Sequence, residues 1–146
     1  MRYLSAAILG IFLLSASVWE TDIEVAKKKA KQEHKFVLLN FSGSDWCGPC
    51  IRLHDEIFES SNFKNFADSN LVLINADFPR KKKNQLPAEQ KSKNNSLADK
   101  YNPQGIFPYT VLLDENGKVL KTWEGFPNKT STQFTAQIKA YCNARK

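Results

Sequence analysis

An unbroken apolar run, Phe36-Val37-Leu38-Leu39, leads through a turn rich in Ser, Gly and Asp to two cysteines, Cys47 and Cys50, with only Gly48-Pro49 between them. Strand-forming residues bounded by turn residues, with no polar alternation, predict a strand covered on both faces. After Cys50 the pattern becomes helical, with Ile51, Leu53, Ile57 and Phe58 at helical spacing. The cysteine pair therefore stands where a buried strand hands over to a helix N-terminus.

That position decides the chemistry expected of it. Unpaired first-turn N–H groups and the positive end of the helix dipole favour a thiolate at Cys47 over a thiol. Cys50 lies one turn deeper and is close enough to pair with it. Pro49 costs nothing there, because a first-turn N–H has no intrahelical acceptor to lose. Cys47 reads as the attacking thiol and Cys50 as the resolving one. Two other readings compete. A zinc site needs two more Cys or His ligands, and the remaining Cys142, His34 and His54 show no paired spacing, so no metal is expected. A purely structural disulfide would close so small a loop that little chain entropy is removed.

The chain has 146 residues, 42% of them hydrophobic and 12% aromatic, enough for one core and too apolar for disorder. Arg2 followed by an apolar stretch from Ala6 to Leu14 and by Ser15-Ala16-Ser17 reads as a signal peptide over residues 1–17, with one domain over 18–146. The competing reading is an uncleaved tether through residues 3–18, although the apolar stretch falls short of the about 20 residues that span a bilayer. Either way the protein is expected to be exported, to a periplasm or beyond.

A net charge of +6 is basic but modest. No nucleic-acid-reading motif accompanies it, so solvated surface is the reading, with Arg80-Lys81-Lys82-Lys83 as a dock for an acidic partner or anionic lipid the sharper alternative. Cys142 shares a helical pattern with Phe134, Ile138 and Tyr141 and reads as a packed thiol; a monomer is expected.

Along the chain, a first helix is expected from Trp19 to about Lys31, with Thr21 and Glu24 in capping-box spacing. Strands follow at Phe36–Phe41, Leu71–Asp77, Tyr109–Leu113 and Lys118–Glu124, the last two joined by Asp114-Glu115-Asn116-Gly117. Helices are expected at Gly48–Phe58, around Phe63–Ala67 after Ser60 or Ser61, at Leu97–Tyr101 and from Thr130 to about Cys142. Residues 79–95, rich in Lys and Asn, read as an exposed inserted loop. The fold class is α/β, a central mixed sheet with helices on both faces.

Trp46-Cys47-Gly48-Pro49-Cys50 resembles the active site of thioredoxin, in the place where the thioredoxin fold carries it. The stretch from Phe41 to Cys47 and the later Asp77-Phe78-Pro79 resemble exported bacterial thioredoxin-like proteins, including the reducing domain of the membrane thiol:disulfide interchange protein. The likeness covers roughly residues 20–142. It implies a thiol-disulfide oxidoreductase acting on cysteines of exported proteins, with no cofactor beyond a Cys47–Cys50 disulfide and with a dithiol electron donor as partner, membrane-embedded in one reading.

The same resemblance makes Pro108 a cis proline beside the disulfide and gives Trp46, Phe107, Pro108 and Tyr109 to substrate binding, with Gly48 and Pro49 supporting the cysteines. It also exposes departures. Asn40 stands where thioredoxin has a buried acid, leaving proton transfer to water, Asp45 or another group, and Ile51 replaces a basic residue. His54, one turn beyond Cys50, is a surface histidine or a group tuning that cysteine. Reductase is the favoured direction; oxidase or isomerase uses the same frame, and a peptide-binding or chaperone module on the Pro108 edge is the reading from a different class.

Overall fold

The computed structural model describes residues 18–145, so the expected signal peptide, residues 1–17, lies outside the described residues. Four strands, β1 (Phe36–Ser42), β2 (Leu71–Asp77), β3 (Tyr109–Leu113) and β4 (Val119–Glu124), form one sheet in the order β2-β1-β3-β4. β1 runs parallel to β2 and antiparallel to β3, which is antiparallel to β4. Asp114 closes the β3–β4 turn by accepting from the N–H groups of Asn116 and Lys118, each at 2.9 Å.

Strand periodicity sorts the core into two layers. Val37, Leu39 and Phe41 face one side with Val72, Ile74, Val111 and Leu113, beneath α1 (Ile23–Glu33) and α4 (Ala88–Tyr101). Phe36 and Leu38 face the other with Leu71, Leu73 and Leu112, beneath the π-helical stretch Leu53–Phe58 that continues α2 (Gly48–Arg52), and beneath α3 (Ser61–Asn70) and α5 (Ser131–Asn143). The central strands carry the apolar runs Phe36–Leu39 and Leu71–Ile74 because both faces are covered there.

Three sequence expectations are corrected. Helix α1 starts at Ile23, capped by Asp22 rather than by a Thr21–Glu24 box: Asp22 Oδ1 accepts from the N–H groups of Glu24 (2.8 Å) and Val25 (3.3 Å). Glu20 is instead extended against β2, its N–H donating to Leu73 O at 2.7 Å. The inserted loop at 79–95 is a loop only in its first part; after a single 3-10 turn at Lys82–Asn84, α4 begins at Ala88, well ahead of the expected Leu97. Its inner stripe is Asn94, Leu97 and Tyr101, and the polar first member disguises the periodicity. Tyr141 lies outside the inner stripe of α5, which is Phe134, Thr135, Ile138 and Cys142. Thr130 and Gln133 close a full capping box on that helix.

Candidate active site

The turn after β1 is wound around one carbonyl. Gly43 O accepts from Trp46 N (3.2 Å) and Cys47 N (2.9 Å), which turns the chain and delivers Cys47 to the N-cap of α2. The Cys50 N–H donates to Cys47 Sγ at 3.3 Å. Cys47 and Cys50 form a disulfide, with Cα atoms 5.2 Å apart. The two cysteines are 5% and 2% exposed respectively, while Gly48 and Pro49 between them are open to solvent. Gly48-Pro49 thus makes most of the solvent-facing surface of this stretch, and Cys50 also borders a cavity. Past α2 the chain widens into a π-helical stretch, Leu53–Phe58, which no sequence signal announced.

Trp46, directly before Cys47, is fixed by the loops around it. Its indole N–H donates to Phe78 O at 2.8 Å, and its ring meets Phe107 edge-on at 5.5 Å. Phe107 makes a second edge contact with Phe78, also at 5.5 Å. The Phe107–Pro108 peptide bond is cis, as the resemblance implied. Pro108 is buried, and its carbonyl accepts from Gly125 N at 2.8 Å. Tyr109 is half-buried, with its ring 6.2 Å from that of Phe41, so its side chain takes part in packing.

The turn before Pro108 depends on a residue the sequence reading passed over. Asn102, buried at the end of α4, donates to Ile106 O (2.8 Å) and accepts from Ile106 N (2.9 Å). An Asn before Pro103 at a helix end is the signal that could have marked it.

Two carboxylates lace the neighbouring loops together. Asp77 accepts from the N–H (2.9 Å) and hydroxyl (2.5 Å) of Ser44. Asp45 accepts from Arg80 N (2.9 Å), Lys81 N (3.0 Å) and Asn84 Nδ2 (2.9 Å). The Arg80 hydrogen bond, followed by those of Asn84 and Lys81, holds the Asp45 carboxyl below the usual carboxylate range. Asp45 thus anchors residues 80–84 through its carboxylate.

Behind Cys50 lies a cavity of about 330 Å3 lined by Asn40, Ser42, Asn75, His54 and Asp55 among others. Asn40, 5% exposed, donates to Asn75 Oδ1 at 3.1 Å and accepts from Thr110 Oγ1 at 3.2 Å. The position of thioredoxin's buried acid is therefore filled by a satisfied amide. His54 is exposed, and its Nδ1 lies 2.9 Å from Asp55 Oδ1. Among the described residues no group of three or more His, Cys, Asp or Glu is placed to hold a metal ion.

Residues 23–141 match the thioredoxin-like domain family. The disulfide bond reductase DsbH of Chlamydia pneumoniae is 39% identical over 127 residues, covering 87% of this chain and 74% of that protein. A solved DsbH oxidoreductase superposes with a TM-score of 0.77 at 36% identity, over 95% of each chain. The oxidised C-terminal domain of Neisseria meningitidis DsbD superposes with a TM-score of 0.56 over 80% of this chain and 90% of that one. At 16% identity the last likeness speaks for the fold alone.

Proposed function

The chain belongs to the thioredoxin-like family, and from that premise we propose that it reduces disulfides of exported proteins through Cys47 and Cys50. It is a thiol-disulfide oxidoreductase. The similarity to a protein named as a disulfide bond reductase supports the direction, and the signal-like pattern of residues 1–17 supports export.

One observation carries the assignment of roles. Cys47 is the N-cap of α2 and its sulfur accepts the Cys50 N–H, so a negative charge forming on Cys47 Sγ meets a donor already in place. In the dithiol form the Cys47 thiolate attacks one sulfur of a substrate disulfide. A Cys47–substrate disulfide forms and the other substrate sulfur leaves as a thiolate. Cys50, as thiolate, then attacks Cys47 Sγ; the Cys47–Cys50 bond forms and the second substrate sulfur leaves. Two electrons pass to the substrate, and an external dithiol donor restores the pair. Trp46, Gly48 and Pro49 frame the approach, and Phe107, set by the cis bond to Pro108 just ahead of Tyr109, supplies backbone against which an extended substrate segment can align.

Replacing Cys50 by Ala removes the second attack and should accumulate mixed disulfides through Cys47. The roles are wrong if Cys47 stays alkylatable while no mixed disulfide forms. Equilibration of the native pair in thiol/disulfide buffers tests direction: a potential near or below about −230 mV fits a reductase, and one of about −120 to −180 mV fits an oxidase or isomerase.

A further inference from the structure

Arg80-Lys81-Lys82-Lys83 follows β2 after Phe78-Pro79, and its first two residues are seated against Trp46 and Asp45, which stand directly before Cys47. Arg80 Cζ lies 3.6 Å from the centroid of the Trp46 ring, the residue before Cys47. The Trp46 ring is itself held by Phe78 O and Phe107. Stacking uses one face of the planar guanidinium and leaves the N–H donors along its edge free to meet a carboxylate in a two-pronged fashion.

The tether acts on backbone rather than on charge. Asp45 takes the N–H groups of Arg80 and Lys81, and Asp77 takes the N–H groups of Ser44 and Phe78. All four cationic side chains are exposed. Among the described residues the ion pairs are made by other cations, such as Lys93 with Asp22 and Arg52 with Glu56. The charges of Asp45 and Asp77 offset part of this positive field; four cations against two carboxylates leave it positive.

We propose that this strap selects substrates, favouring disulfides flanked by acidic residues, with a substrate carboxylate on the Arg80 edge as the disulfide sulfur reaches Cys47. The proposal rests on the reductase reading and names the substrate class it serves. A solvent-exposed ion pair is worth up to about a fivefold preference. The preference is electrostatic and must fall as salt shortens the screening length to about 3 Å near 1 M.

The test uses two synthetic peptides with the same intramolecular disulfide, one flanked by Asp and Glu and the other by Asn and Gln. Each is reduced in a single turnover by pre-reduced protein. At low ionic strength the acidic peptide should react about fivefold faster. That ratio should approach one in about 1 M salt and in Arg80→Gln. Arg80→Lys, which keeps the charge and loses the fork, should restore only part of it. A ratio of one in the native protein at low salt overturns the proposal while leaving the reductase reading intact. So does a ratio that survives Arg80→Gln combined with Lys81→Gln, Lys82→Gln and Lys83→Gln. Failure to reduce either peptide refutes the reductase reading and this inference with it.

Discussion

A Cβ at Gly43 would stand 2.6 Å from Trp46 Nε1 and closer still to Cε2, so the indole occupies the space that a side chain at 43 would need. The ring cannot simply swing away. It is fixed by the Phe78 carbonyl, by the Phe107 edge and by the Arg80 guanidinium on its face. Gly43 is therefore required by close approach.

Gly43→Ala should displace Trp46 and weaken both its hydrogen bond and its aromatic contact. A stability loss of about 1–3 kcal/mol is expected, read from urea unfolding. Near-UV dichroism should change and reduction of peptide disulfides should slow in parallel. Native stability with an unaltered aromatic spectrum would mean that the turn accommodates a methyl group and that the contact is not restrictive.

The pattern of what the sequence disclosed follows from the range of the forces involved. β1, β2 and β3 were visible because both faces of each are covered, which leaves unbroken apolar runs, and the cysteine pair was visible at the start of α2 because a turn and a change of period flank it. The first part of helix α4, ahead of Leu97, was concealed because Asn94, 2% exposed, takes a core position. It is satisfied there by donating to Asp77 O and accepting from Gln90 Nε2, both at 2.8 Å. A buried amide with distant partners looks like surface in a one-dimensional pattern. The charge of residues 80–83 was equally plain, yet their seat on Trp46 depends on Asp45, 35 positions before Arg80, and local pattern carries no trace of it.

Asn40→Asp places a titratable group on the cavity that Cys50 also lines. As a neutral acid it can mimic Asn40, its O–H donating to Asn75 Oδ1 and its carbonyl accepting from Thr110. Once ionised it loses the donor and sets one acceptor against another in a buried position. Burial thus raises its pKa above the unfolded value of about 3.9. The variant should match native stability below about pH 4 and lose about 1–3 kcal/mol as pH rises through the raised value. The rate of Cys50 attack on a Cys47 mixed disulfide should gain an inflection at the same pH. A variant with pH-independent stability relative to the native chain would show that the cavity hydrates the carboxylate freely.

Asp22 ties α1 to α4 by two separable interactions. Its Oδ1 caps α1, and its Oδ2 lies 2.9 Å from Lys93 Nζ. The Lys93 hydrogen bond first, then that of Val25 N–H, pulls its pKa below the ordinary carboxylate value. A depressed folded-state pKa means stabilisation that is complete above the unfolded value, about 3.9, and is lost as pH falls through the folded one. Asp22→Asn keeps an oxygen to cap the helix and discards the charge, whereas Asp22→Ala discards both. At pH 7 Ala should cost about 1 kcal/mol through the missing cap, and Asn less, since an ion pair this exposed is worth only about 0–1 kcal/mol. As pH falls below about 4 and through the lowered folded-state value, the native chain should lose its advantage over the Asn variant, because Asp22 is then taking up its proton. Urea midpoints for the three proteins, followed from neutral pH down through that fall, decide the matter: an advantage over Asn that shows no decline would place the stabilisation in the cap, with the Lys93 pair contributing none of it.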